Sequence, residues 1–393
     1  MVIEGSCVME RRRNRRTKKS KWSLVIIGLI LIATAIILYN FFLKNDSMKT
    51  EGSIKQETEN KSENVKTNKP DSKPIEPEPE VEKTLTISAA GDFTLGRDET
   101  FSYSGSFDDE AQKNGLPYFV AELDNVFKED DFTTVNLETT LTNATQKAQK
   151  KFRFKGDPSY AQILHLGGIE AVNIANNHIF DYLEKGYQDT KATLESQNIP
   201  YFGYDDSMVQ EVKGLKIGAV GYEGWEDNPE TREIVKAGIN GLREKGADIV
   251  LVHFHWGIER EYVPMQSQRT LAQFAIDSGA DLILGHHPHV IQGIEEYKGK
   301  FIVYSLGNFM FGGNRNPSDK DTYVFQQTFH FKGKQLMDVK EIKVIPFSIS
   351  SVKNRNNYQP LRLTGDEAQR VKQKVIDSSN QINGSDWLQY EKQ

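Results

Sequence analysis

Cysteine is almost absent: Cys7 is the single one in 393 residues. That excludes a disulfide framework and any metal site built on cysteine pairs. An excess of positive charge is also missing, since 49 Lys and Arg face 55 Asp and Glu, for a formal net charge of −6. General nucleic-acid binders carry a basic stripe, so no nucleic-acid partner is expected. Hydrophobic residues make up 37%, enough for a sizeable core with room for a polar segment. The length fits two or three domain-sized units at most.

Charge is spread unevenly. Residues 1–21 hold eight bases and two acids, a net +6, which leaves −12 for the remainder. Residues 22–43 contain no charged side chain. At about 1.5 Å per residue, a helix of that length crosses a hydrocarbon core of roughly 30 Å. Trp22 and Tyr39 stand near its ends, where amphipathic rings favour the membrane interface. The basic block predicts a single-pass protein of the cell membrane with a cytoplasmic N-terminus and an extracellular C-terminal domain. A cleaved signal peptide would show a small-x-small site after the run; Tyr39-Asn40-Phe41-Phe42 stands there instead, which favours an uncleaved anchor. Residues 44–83 lack aromatic side chains and close on Pro70, Pro74, Pro77 and Pro79 between acids. Such a segment buries too little apolar area to offset its ordering entropy and reads as a disordered tether, stiffer at its Pro-Glu end.

From Thr84 the pattern becomes periodic. Short apolar runs at residues 85–90, 132–135, 169–175, 215–220, 248–252, 281–284 and 301–304 read as strands. Helical stretches at 183–197, 229–245 and 266–278 lie between them, which predicts a layered α/β fold. After Asp321 the residues alternate, as in antiparallel hairpins, and residues 367–382 read as a last helix. The expected organisation is therefore a folded domain over 84–350 and a helical C-terminal extension over 351–393.

Potential ligands of a metal recur directly after these strands: Asp92, Glu138, Asn177, His178, His253, His255, His286, His287 and His289. In layered α/β folds, sites form beyond the carboxyl ends of the strands. Six of the eight histidines stand there; His165 and His330 do not and read as structural. A mixed set of imidazole, amide and carboxylate suits Mn, Zn or Fe better than Ca. Each motif also has a plainer reading. Asp92 after Gly91, and Asn176-Asn177, both fit turn geometry. His253 and His255 share one face of a strand, and either is compatible with a satisfied core position. Three imidazoles in Gly285-His286-His287-Pro288-His289 are hard to justify by packing. Ser305-Leu306-Gly307-Asn308-Phe309 fits a tight turn or a site equally well. Arg97 is placed to meet a substrate anion, or to pair with Asp98 or Glu99.

Six motifs occur in one order: Gly91-Asp92-Phe93-Thr94-Leu95-Gly96-Arg97, Asn136-Leu137-Glu138-Thr139, Asn176-Asn177-His178, His255-Trp256-Gly257-Ile258-Glu259, Gly285-His286-His287-Pro288-His289 and Ser305-Leu306-Gly307-Asn308-Phe309. The series resembles the CapA (PgsA) family of poly-γ-glutamate capsule synthesis, itself similar to calcineurin-like metallophosphoesterases. The resemblance implies a four-layer α/β/β/α sandwich and one membrane anchor. It also implies work beside a membrane-bound ligase, on poly-γ-glutamate or another anionic polymer. It assigns Asp92, Glu138, Asn177, His255, His287 and His289 to a divalent metal, and His178 to an acid or anion-stabilising role. Arg97, Asn136 and Asn308 become substrate-binding candidates, with Arg153 and Lys155 as further partners for polymer carboxylates. Two departures bear on the metal. Phe93 and Thr94 replace the usual Asp-x-His of the first motif, and the Asp-rich second motif is reduced to Asn136 and Glu138. Two functions remain open: an accessory role in polymer synthesis or export, and hydrolysis of a phosphoester or of the polymer amide.

Overall fold

The computed structural model describes residues 82–392. The basic segment, the apolar run over 22–43, most of the tether and Cys7 lie outside the described residues. Among those described, no helix is long and apolar enough to cross a membrane.

The fold is mixed α/β with several sheets. A nine-stranded sheet is centred on β1 (Glu82–Thr94). On one side β1 pairs in parallel with β2 (Phe132–Leu137), which pairs in parallel with β3 (Ala171–Asn173). A second, six-stranded sheet holds the parallel strands β4 (Leu215–Glu223), β5 (Ile249–His255) and β6 (Leu282–His286). Back in the larger sheet, β7 (Asn308–Phe311) pairs in parallel with the end of β1. On the other side of β1 follow the antiparallel β8 (Asp321–Lys332) and β9 (Glu341–Ser348). Arg97–Asp98, Thr140–Leu141 and Phe154–Gly156 form a small third sheet.

Alternation of side chains places the cores. Leu85, Ile87 and Ala89 of β1 share one buried cluster with Ile217, Leu251 and Leu282 of the second sheet. Successive strand residues face opposite ways, so Val250 and Val252 of β5 turn to a different cluster. There they meet Val235, Ile239 and Leu242 of α3 (Pro229–Glu244) and Leu271 and Ala275 of α4 (Gln266–Asp277). The outer face of the larger sheet is covered by α1 (Phe107–Asn114), through Phe107, and by α2 (Leu183–Ser196), through Leu194. Helix α3 starts where the sequence says it should: Asn228 caps it, accepting from Thr231 N at 2.9 Å, and Pro229 follows. Its apolar positions recur four and three residues apart, as one helix face requires.

The run expected as a strand over 169–175 keeps only Ala171–Asn173 in the ladder. The Asn173 side chain accepts from Ala175 N and donates to Ala175 O, both at 3.2 Å, and draws the chain into a turn. The expected last helix is α5 (Gly365–Asn380); its Val371 and Val375, with Trp387 beyond it, enter the cluster between the two sheets. Residues after 350 thus help close that core.

Candidate metal centre

The parallel strands end on one side, and their last residues carry the polar groups. Asp92, near the end of β1, is fully buried. Its Oδ1 accepts from Asn136 Nδ2 at 2.8 Å, and its Oδ2 lies 3.1 Å from His289 Nδ1. The strand reaches this depth because Gly91 runs against the chain at Gly307: a Cβ on Gly91 would overlap the Gly307 carbonyl, whose oxygen accepts from Asp92 N at 3.0 Å.

Glu138 follows β2 and is also fully buried, with neither carboxylate oxygen hydrogen-bonded. Its Oε1 lies 3.6 Å from His255 Nε2 and 3.7 Å from His289 Nε2. His255 ends β5, and its Nε2 is 3.0 Å from Asn177 Oδ1. His287 and His289 follow β6 with φ of 96° and 58°, conformations that cost energy in non-glycine residues and cluster at functional sites. Two groups of three could hold a metal ion: Glu138, His255 and His287, and Asp92, Glu138 and His289. In each, the ligand atoms lie within 4.8 Å of one another, and Glu138 belongs to both.

The electrostatics match this arrangement. Burial pushes the Glu138 carboxyl well above the usual range; the His289 charge opposes that, and the Asp92 charge adds to it. Asp92 goes the other way: burial raises it, but hydrogen bonds and charge from His286 and His289 hold it well below. Burial lowers His289, yet Glu138 and Asp92 outweigh that and lift it to about 9. Burial and the His289 charge press His287 down to about 3, and burial presses His255 well below its ordinary value. A buried carboxylate with no donor is costly. A divalent cation held by these groups would offset that cost.

The structure brings most of the sequence-predicted residues together. Asp92, Glu138, Asn177, His255, His287 and His289 surround this point. Asn308 supports it, with Oδ1 2.9 Å from His289 Nδ1. Asn136 is fully buried beneath it, and its amide is spent on Asp92, His255, Asn173 and Asn176. His178 lines the adjoining cleft of about 120 Å³ together with His289 and Asn308. Arg97 is directed elsewhere: its guanidinium donates to Asp108 Oδ2 at 2.7 Å and to the carbonyls of Asp98 and Phe101. The expected side-chain pairing with Asp98 or Glu99 is not formed, and Lys155 is held by Glu99. His253 and His286 stack behind Asp92, 2.9 Å apart between Nδ1 and Nε2. His165 meets the Gln197 carbonyl and His330 meets Glu341, away from the cluster.

Some contributors were not singled out from the sequence. Buried Asp181 accepts from Phe154 N at 2.6 Å and sits 2.7 Å from His178 Nδ1, while Lys150 Nζ bridges its other oxygen at 2.7 Å. Its place three residues after His178 was the available signal. Trp225 stands edge-on to His255 and His287 with ring centroids 5.7 and 4.8 Å away; nothing in the sequence marks it. Glu259 and Arg260 line the cleft as well.

Residues 86–313 match the family described as "Bacterial capsule synthesis protein PGA_cap". The chain is 28% identical over 305 residues to the capsule biosynthesis protein CapA of Bacillus anthracis, across 69% of this chain and 71% of that one. It is 30% identical over 248 residues to the PGA biosynthesis protein CapA of Bacillus subtilis, across 58% of this chain and 63% of its relative. A probable polyglutamine synthesis accessory protein of Mycobacterium tuberculosis is 27% identical over 209 residues, across 45% and 55%.

Proposed function

Because the chain belongs to the bacterial capsule synthesis protein PGA_cap family, we propose that it takes part in the synthesis or export of a poly-γ-glutamate capsule. In this reading it is anchored in the cell membrane by residues 22–43 and works outside the bilayer. It binds the anionic polymer, or the membrane-bound ligase that makes it. The names of its Bacillus and Mycobacterium relatives support that reading. One observation carries it furthest: six donors from five separate segments converge beside an open cleft.

The same centre favours a second reading, a metal-dependent hydrolase acting on a phosphoester or on the polymer amide. The order of helices, two facing sheets and helices supports a four-layer sandwich of metallophosphoesterase type. Glu138, common to both donor groups and without a hydrogen-bond donor, supports ion binding by Asp92, Glu138, His289, His255, His287 and Asn177. An ion held there would polarise an anionic oxygen or lower the pKa of a water. Burial, helped by the Lys150 and His289 charges, holds the His178 imidazole below its ordinary pKa although Asp181 raises it, which favours the neutral ring. Asp181 accepts the Nδ1 proton, so the neutral ring keeps a lone pair at Nε2 that can take up a proton at the cleft.

The test is a chromosomal Glu138→Gln exchange, scored by capsule yield in cells and by metal content of the purified full chain. Loss of both supports a metal-dependent capsule role. Normal capsule from a metal-free variant contradicts any need for the ion. Normal capsule after deletion of the whole gene overturns the capsule reading.

A further inference from the structure

The centre adjoins, through His289, a cleft whose walls are partly apolar. Phe154 and Phe311 line it beside His178, His289 and Asn308. The Phe154 ring sits 4.2 Å from the His178 ring, and the Phe311 ring sits 4.9 Å from that of His289. Arg260 lines the same cleft and is exposed. Among the described residues, its guanidinium has no hydrogen-bond or ion-pair partner. Its backbone is fixed all the same. Arg260 N donates to Pro288 O at 2.8 Å, between the two histidines that follow β6, and φ at Arg260 is 66°. A non-glycine residue held in that region needs surroundings that enforce it. Here the enforcing contact is with the segment that carries His287 and His289.

Of the cations expected from the sequence to meet polymer, Arg153 has its Nε buried without a hydrogen bond, and Arg97 and Lys155 are already committed, to Asp108 and to Glu99. Arg260 is not. Its neighbour Glu259 lines the same cleft, and its negative charge is felt by Glu138 and His289. A compact dianion would be opposed by that carboxylate. A monovalent carboxylate on a methylene chain suits one guanidinium between aromatic walls. In a γ-linked glutamate chain, each amide nitrogen is bonded to the carbon that bears a free α-carboxylate. An amide directed at the metal centre therefore brings a carboxylate only a few bonds away.

We propose that Arg260 forms a carboxylate-binding subsite beside the metal centre, which takes one α-carboxylate of a γ-linked glutamate chain. The inference rests on the polymer reading and adds to it the residue and the group recognised. A guanidinium grips a carboxylate through two parallel bonds, so Lys replaces Arg poorly.

The test uses the purified full chain in detergent and two probes: a γ-linked oligoglutamate of defined length, and the same oligomer with its α-carboxylates converted to carboxamides. Arg260→Gln is expected to weaken binding of the first about tenfold or more with metal content unchanged. Arg260→Lys should recover only part of that loss. The carboxamide oligomer should bind wild type and Arg260→Gln alike. If Arg260→Gln binds the carboxylate oligomer as wild type does, the subsite is overturned and the polymer reading stands. Equal weakening toward both probes also overturns it, since that reflects a packing role. If the wild-type chain binds no oligoglutamate, the polymer reading falls and the subsite falls with it.

Discussion

Glu138 shows how a single side chain can be costly alone and useful with a partner. Both its oxygens are buried without donors, and its carboxyl is pushed well above the usual range. Without metal, a neutral amide of the same shape should sit there at least as comfortably. Glu138→Gln is therefore expected to leave the chelator-treated chain as stable as wild type, or more so. The rise in Tm on adding Mn or Zn should shrink, because an ion that binds only the folded state stabilises it by mass action. Equal thermal shifts in both proteins would contradict this. A second carboxylate tests the reasoning away from the centre. Burial lifts Asp130 to about 6, against hydrogen bonds from Ser88 and Thr133. A raised carboxyl favours the folded state when protonated, so its contribution is full below the unfolded value, near 4, and is lost as pH rises through about 6. Asp130→Asn should gain Tm relative to wild type over that interval and hold a constant difference above it. A difference that does not change between pH 4 and pH 7 would count against a buried carboxylate.

Elements aim these side chains, and they tolerate little change where they cross. Leu251 of β5 fills the cluster between the sheets, and its neighbours Val250 and Val252 face the helices. Leu251→Ala should cost about 2–5 kcal/mol, read from urea unfolding, with no direct contact to the centre. Gly91→Ala acts differently, because its Cβ would overlap the Gly307 carbonyl and push β1 away from the turn that carries Asn308. Its expected signature is loss of metal affinity beyond what its loss of stability explains. Unchanged affinity would show that the β1–β7 contact does not set the site. At this scale the sequence was readable. Alternation and 3.6-residue periodicity marked most strands and helices, and polar residues after apolar runs marked Asp92, Glu138, Asn177, His255 and His289. The short ladder of β3 was not readable, because it depends on how Asn173 bonds to Ala175.

Over the whole molecule, the centre joins residues almost two hundred positions apart, such as Asp92 and His289. Chain order gave the membership of that cluster but not its division. Two donor groups share Glu138, while His253 and His286 stack behind; only the facing of the two sheets sorts the histidines in this way. For the same reason Arg97, attractive in its motif, is held by Asp108, while Arg260 and Trp225 stand at the cleft or over the imidazoles. The charge pattern predicts that everything after residue 43 is extracellular. Protease added to intact wall-stripped cells should then remove the folded domain and spare an N-terminal epitope, and full protection of the domain would refute that orientation. The most direct test of the central claim is anomalous diffraction from crystals grown with Mn. The account predicts density bounded by Asp92, Glu138, His255, His287 and His289. Manganese bound only elsewhere, with Glu138 still lacking a partner, would contradict it.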